Sequence, residues 1–198
     1  GNLDRVAQLD SQAGTLLKES GQIEAALRYY DRALEAKPDF AEVHHTLAEI
    51  YLERQKLDTA IRHAKRAIEA KPDFAEAYKS LGNAFGHQRN GGAALRAYAR
   101  AIQHKPDYAE VYSNIGSVYF LQNKYKEAVE VYRKAISIND QLPGIHWNLG
   151  KVFEKVRQFK QTIECWQKAI ELDPEFPGPQ GYYQLGTRYL ATGKREEA

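Results

Sequence analysis

The chain repeats a fixed arrangement of apolar and polar positions at an interval of 34 residues. The stretch KPDFAE occupies residues 37–42 and 71–76, and the near copy KPDYAE occupies residues 105–110. Between copies, apolar residues recur at helical spacing in two segments, separated by a short polar turn such as ERQKLD or LQNKYK. Such periods are typical of stacked structural repeats rather than of catalytic motifs. Each repeat is therefore predicted to be a pair of antiparallel helices.

Each repeat can be numbered so that the proline of KP falls at position 32. This numbering predicts one array of five complete repeats and a partial sixth, at residues 7–40, 41–74, 75–108, 109–142, 143–176 and 179–198. The sixth repeat stops inside its predicted second helix. Because arrays of this kind need a polar cap at each end, we expect the chain to be excised from a longer protein.

Small and large residues alternate in fixed columns of the repeat. Positions 8, 20 and 27 are mostly Gly or Ala, which lets two helices approach closely. Position 20, for example, holds Ala128 in the fourth repeat. Positions 11 and 24 are mostly large and would fill the space beside these contacts. Position 24 holds Tyr30, Ala64, Tyr98, Tyr132 and Trp166. Proline at position 32 would end the second helix, because it lacks the amide proton that a helix interior needs.

In these columns the sequence resembles the tetratricopeptide repeat family over nearly its whole length. The departures are few: Asp140 replaces the proline, Thr162 an alanine and Ala64 a large residue. The resemblance implies an all-α fold, a right-handed superhelical solenoid of antiparallel helix pairs. It also implies a concave groove lined by the first helix of each repeat.

Composition and charge exclude several classes of function. With 28 basic and 26 acidic residues the net charge is +2, and no basic stripe is present, so we expect no nucleic-acid partner. No apolar run approaches the roughly 18 residues of a membrane span, so we expect no membrane insertion. The single cysteine, Cys165, allows no internal disulfide, which fits the reducing, cytoplasmic location that we expect.

The sequence contains no recognisable catalytic or metal-binding constellation. No two of the six histidines have the i, i+4 spacing of a zinc site such as HExxH. Cys165 precedes the column residue Trp166, and no His or Asp pattern marks a partner for it, so we expect a buried thiol. We therefore predict no enzyme activity within this chain and no cofactor.

The residues that carry function should be those that the repeat does not require. The resemblance implies that positions 2, 5, 6, 9, 12 and 13 line the groove, where the sequence offers amides, ammonium groups and aromatic rings. From these positions we predict a peptide-binding set of Lys79, Asn83, Asn114, Phe120, Trp147, Asn148, Lys151 and Tyr183. An exposed Trp147 would anchor a peptide; the alternative is that it packs sideways onto the neighbouring first helix.

Part of this set is similar to a two-carboxylate clamp that some family members use to hold a peptide terminus. Lys79, Asn83 and Asn114 match the first three places of that clamp, whereas Gly144 and Asn148 stand in the last two and do not match. A looser groove that binds an extended protein or peptide segment through Asn side chains is therefore favoured.

Two other functions stay open at this point. The stretches AEVYSNIGSVY and PGIHWNLGKVF are similar to arrays of the O-linked N-acetylglucosamine transferase type, in which repeated Asn residues grip substrate proteins. That similarity implies a substrate-recruiting arm of a larger enzyme such as a glycosyltransferase. The third possibility is a structural scaffold that self-associates end to end through its C-terminal repeat.

Overall fold

The computed structural model describes residues 1–193, which form eleven α-helices and no β-strand. The helices are α1 (Asn2–Glu19), α2 (Ile23–Ala36), α3 (Ala41–Glu53), α4 (Leu57–Ala70), α5 (Ala75–His87), α6 (Gly91–His104), α7 (Ala109–Leu121), α8 (Tyr125–Ile138), α9 (Pro143–Lys155), α10 (Phe159–Leu172) and α11 (Gly178–Ala191). Odd-numbered helices are the first helices of the repeats and even-numbered helices are the second. The predicted fold class, an all-α solenoid of helix pairs, is confirmed.

The helices belong to two compact units, Gly1–Pro106 with α1–α6 and Asp107–Ala198 with α7–α11. The first helices α3, α5, α7 and α9 begin at the residues where the repeat numbering begins. Helix α1 starts five residues ahead of position 1, at Asn2. Ala198, which the repeat numbering places at position 20 of the sixth repeat, lies outside the described residues.

The two helices of a repeat are held together by a large residue of the second helix that lies over a small residue of the first. A Cβ atom added at Gly14 would lie 2.7 Å from the Tyr30 ring, and one added at Gly116 would lie 2.8 Å from the Tyr132 ring. The second repeat has Ala64 in place of the aromatic residue and Ala48 in place of the glycine, so a methyl group fills part of the space. Ala128, predicted at a close helix contact, is fully buried.

The turn inside each described hairpin contains one residue in the left-handed region of backbone conformation. This residue always stands at position 15: it is glycine at 21 and 193, but Gln55, Arg89, Asn123 and Arg157 elsewhere, with φ near 60°. In the first five of these turns, the next residue donates its amide back to position 11, as in the 2.8 Å bond from Lys56 N to Tyr51 O. This helix-ending hydrogen bond offsets the roughly 1–2 kcal/mol that a left-handed side-chain-bearing residue costs.

At three joints between consecutive repeats, the side chain at position 4 contacts a backbone carbonyl at position 32 of the preceding repeat. Nε2 of His44 lies 2.9 Å from the Pro38 carbonyl, and Nε2 of His146 lies 2.9 Å from the Asp140 carbonyl. Tyr182 Oη donates to the Pro174 carbonyl at 2.8 Å, although its ring is exposed rather than in the core. These bonds satisfy carbonyls that proline and the helix end leave without helical partners.

Trp147 is part of the core of the second unit, so its predicted exposure is wrong. The side chain is only 8% exposed, and its ring stacks on Trp166 with ring centres 4.7 Å apart. A Cβ atom added at Gly181 would lie 2.9 Å from the Trp147 ring, so the ring also packs against α11. Trp147, at position 5, therefore faces the next repeat. This is the sideways packing onto a neighbouring first helix that the sequence left open as the alternative.

Two histidines in the first unit, the buried His44 and the half-buried His63, form a pair between α3 and α4. His44 Nε2 faces a carbonyl and must carry a proton, so His44 Nδ1 accepts the hydrogen bond that His63 Nδ1 donates at 3.0 Å. Burial, together with nearby His44 and Arg62, lowers the pKa of His63 from its ordinary 6.5 to about 4. The folded chain therefore disfavours the charged form of His63.

Replacement of Trp147 by Ala should lower the free energy of unfolding by about 3–5 kcal/mol, because it leaves a cavity against Trp166 and α11. Replacement of the exposed Tyr183, which also stands at position 5, should change it by no more than about 0.5 kcal/mol. Urea unfolding followed by circular dichroism measures both. Equal effects would contradict the assignment of Trp147 to the core.

Stability should fall as the pH falls through the interval between 6.5 and 4. In that interval the unfolded chain binds a proton at His63 that the folded chain does not, so protonation favours unfolding; above 6.5 this contribution is fully retained. Since part of the ring contacts solvent, we expect a loss of about 1–2 kcal/mol. His63→Gln keeps a donor for His44 and should show a correspondingly flatter pH profile. Identical profiles for the two proteins would refute this role.

Candidate functional site

The predicted binding residues all lie on first helices, but they belong to two different compact units. Lys79 and Asn83 are on α5 of the first unit. The other six are on α7, α9 and α11 of the second unit, at Asn114, Phe120, Trp147, Asn148, Lys151 and Tyr183. Each unit therefore carries its own candidate surface.

In the first unit, Asn83 is tied to the second helix of its own repeat. Tyr98 Oη donates to Asn83 Oδ1 at 2.8 Å, and burial raises the pKa of Tyr98, so the phenol keeps its proton. This bond fixes the orientation of the amide, with its NH₂ group on the side away from Tyr98 Oη. In two other repeats, the tyrosine at position 24 likewise forms a hydrogen bond with the residue at position 9. The Tyr30 and Thr15 hydroxyls lie 3.3 Å apart, and the Tyr132 and Ser117 hydroxyls lie 2.9 Å apart.

A polar cluster beside Lys79 was not predicted from the sequence. His45 Nε2 on α3 lies 3.2 Å from Ser80 Oγ on α5 and 3.6 Å from Glu49 Oε1, while its ring tilts against Phe74. Burial lowers the pKa of His45. The nearby Glu49 carboxylate raises this pKa, and the Lys79 ammonium lowers it. The signal that could have revealed the contact is the repeat itself, since position 5 of one repeat meets position 6 of the next.

In the second unit, α9 presents an amide and an ammonium group one turn apart. Lys151 Nζ donates to Asn148 Oδ1 at 3.5 Å; Lys151 is exposed and Asn148 is half-buried. The Asn148 amide offers both a donor and an acceptor, the two functions that pair with a peptide backbone. The Lys151 ammonium beside it would favour a carboxylate or a carbonyl oxygen.

Aromatic residues on the first helices of the second unit differ strongly in exposure. Tyr183 on α11 is 69% exposed, whereas Trp147 is buried in the core. Phe120 on α7 is half-buried, with its ring 5.9 Å from that of Tyr125. Asn114, also on α7, is half-buried. Tyr183 is therefore the most exposed aromatic side chain among the predicted binding residues.

The described residues offer little for covalent or metal chemistry. Across residues 1–193, no three His, Cys, Asp or Glu side chains group closely enough to hold a metal ion. Burial, followed by the nearby Glu164, raises the pKa of Cys165 to about 11, so the thiol carries its proton at neutral pH and is a poor nucleophile. No helix in the same range is long and apolar enough to cross a bilayer.

Several solved structures share this fold. MamA aligns with a TM-score of 0.70 at 28% sequence identity, over 82% of this chain and 95% of that one. PilF of Pseudomonas aeruginosa aligns with a TM-score of 0.76 at 19% identity, over 100% of this chain and 98% of that one. YrrB, described as a TPR protein with an unusual peptide-binding site, aligns with a TM-score of 0.65 at 18% identity, over 88% and 89%.

Sequence comparison gives a consistent result. No curated protein matches the chain. Models described as tetratricopeptide repeat match residues 17–84 and 143–176, and a model described as TPR repeat matches residues 116–156. Together with the helix pairs, the small-over-large contacts and the position-32 joints, these matches show that the chain belongs to the tetratricopeptide repeat family.

Proposed function

We propose that this chain is a protein-interaction scaffold that binds an extended polypeptide segment on the first helices of its second unit. Members of the tetratricopeptide repeat family bind protein or peptide partners and are typically non-catalytic adaptors. The observation that carries the proposal is that α9 presents exposed Lys151 beside half-buried Asn148, and that α11 presents exposed Tyr183, on helices whose repeat-column residues are mostly buried.

The three side chains supply complementary interactions for one extended segment. Asn148 would pair with a backbone amide of the segment, and Lys151 would pair with a carboxylate or a carbonyl oxygen. Tyr183 adds a large, weakly flexible apolar surface, the kind of residue that dominates many binding interfaces. Trp147 would support this surface, because its buried ring packs α9 against α11.

Affinity should be moderate. The helices are preformed, so binding orders the segment and a few side chains but does not require the scaffold to fold. For a short segment held by a few such contacts we expect a Kd in the micromolar range, about −8 kcal/mol. Lys79 and Asn83 would offer a second, smaller polar surface on the first unit, where Tyr98 already orients the Asn83 amide.

The fold shared with YrrB supports this proposal only by analogy, since that protein's description names a peptide-binding site. A role as the recruiting arm of a glycosyltransferase would use the same first-helix surface, and it stays a prediction. Within the first unit the position-6 residue Ser80 bonds to His45, so position 6 does not present the same group in each repeat.

Peptides selected from a random phage-displayed library on the intact chain should bind with a micromolar Kd measured by fluorescence anisotropy. Asn148→Ala/Lys151→Ala and, separately, Tyr183→Ala should each weaken the binding by about tenfold, that is by about 1.4 kcal/mol. The matched control Lys134→Ala/Gln161→Ala removes exposed polar side chains from the second helices α8 and α10 and should leave Kd unchanged.

Circular dichroism should show the same helix content and melting temperature for all three variants. If the first-helix variants bind the selected peptides within twofold of the unmodified chain, the proposed surface is not the binding site. Loss of binding in the control alone would place the site on the second helices instead.

A further inference from the structure

The first helix of the first unit carries an apolar stripe that its own hairpin does not cover. Val6, Leu9 and Leu16 are 40%, 57% and 67% exposed, and the half-buried Ala13 completes the stripe. The face of α1 that packs against α2 is a different one, formed by Ala7, Asp10 and Gly14. The stripe is therefore a second apolar face of α1.

Equivalent positions elsewhere in the chain are buried by helix packing. Leu9, Ala13 and Leu16 stand at positions 3, 7 and 10 of the first repeat. In the second repeat these positions hold Val43, Leu47 and Ile50, each 1% exposed and packed against Ala26, Tyr30 and Ala33 of α2. In the fifth repeat they hold Ile145, Leu149 and Val152, which pack against α8. The stripe on α1 thus has the character of a helix-packing surface.

The spacing of the stripe fits a second helix of the same sequence. Residues 6, 9, 13 and 16 follow each other at intervals of three, four and three, the a and d positions of a coiled-coil seam. In an antiparallel pair of such helices, a residues of one helix pack in layers with d residues of the other. One register pairs Val6 with Leu16 of the second helix and Ala13 with Leu9, so all four layers are filled.

Charges flanking the seam match in the same register. Arg5 and Glu19 both stand at the g position, with Gln12 midway between them, and all three are exposed. In the antiparallel register just described, Arg5 of each helix lies beside Glu19 of the other, and Gln12 lies beside Gln12 at the two-fold axis. A parallel pairing would instead bring Arg5 to Asp10, but Asp10 is buried and paired with Arg32 at 3.2 Å.

We propose that α1 is a self-association surface, through which two copies of this chain form an antiparallel, two-fold symmetric dimer. The seam is Val6, Leu9, Ala13 and Leu16, and the register is set by two Arg5–Glu19 pairs. A symmetric contact of this kind uses the same patch on both copies and closes at two. Because the contact spans only about two heptads, the dimer is weak and depends on concentration. It differs from end-to-end association through the C-terminal repeat.

Sedimentation equilibrium of the intact chain over low to high micromolar concentrations tests the surface. The chain should change from monomer to dimer, and Leu9→Glu/Leu16→Glu should be a monomer throughout. The matched control Leu121→Glu/Leu190→Glu, at two exposed leucines of the second unit, should dimerise as the unmodified chain does. A monomer at every concentration overturns the proposal, and so does a dimer that survives the α1 substitutions or is lost in the control.

A charge exchange tests the register. Arg5→Glu places two carboxylates side by side across the seam, and Glu19→Arg places two guanidinium groups side by side, so each single variant should weaken dimerisation by about tenfold in low salt. The double variant Arg5→Glu/Glu19→Arg restores opposite charges and should dimerise within about threefold of the unmodified chain. Failure of the double variant to recover overturns the antiparallel register. Circular dichroism of each variant verifies that α1 and the hairpin remain folded.

Discussion

Four of the five hairpins that are described in full depend on one contact, in which a large side chain of the second helix lies over a glycine of the first. Where position 24 is Tyr or Trp, position 8 is glycine, because no room is left for a Cβ atom at that point. Where position 24 is Ala64, position 8 is Ala48. The two columns compensate each other within one chain, as close packing requires. The same aromatic residue also donates a hydrogen bond, from Tyr98 to Asn83 for example, and so connects the core to the first-helix surface.

Only the first-helix side chains that are not used in packing the repeats are therefore available to a partner. Two aromatic residues at position 5 show the distinction. Trp147 packs against Gly181 of α11 and is buried, whereas Tyr183 on α11 is mostly exposed. A similar comparison separates the stripe on α1 from the matching positions of α3, which α2 covers. Identical places in the repeat thus become core in one copy and surface in another, depending on what lies beside them.

The helix pairs, the starting residues of α3, α5, α7 and α9, and the fold family could be read from the sequence, because helical periodicity, small columns and prolines are local or strictly repeated signals. Ala128 was located correctly for that reason. The exposure of Trp147 could not be read in this way, since burial depends on a contact with Gly181, 34 residues further along the chain. The cluster of His45 and Ser80 was missed for the same reason.

Two backbone features also could not be predicted from the residue types. The left-handed residue at position 15 is glycine in some repeats but Gln, Arg or Asn in others, so composition alone did not identify it. Likewise, His44 and His146 contact a carbonyl six residues earlier, which is a consequence of how the joint folds rather than of any motif. The binding role of Asn148, Lys151 and Tyr183 rests on their exposure and chemistry.

The most direct test of the central contact is to measure the unfolding free energies of Gly82→Ala and Gly86→Ala. Both glycines are on α5 and face Tyr98, but a Cβ atom at 82 would overlap the ring, whereas one at 86 would lie 3.9 Å from the hydroxyl. We predict opposite signs: a loss of about 1–3 kcal/mol at 82 from overpacking, and a gain of about 0.5–1 kcal/mol at 86 from better helix propensity. A gain at both positions would contradict the account, since it would show that the tyrosine does not require a glycine beneath it.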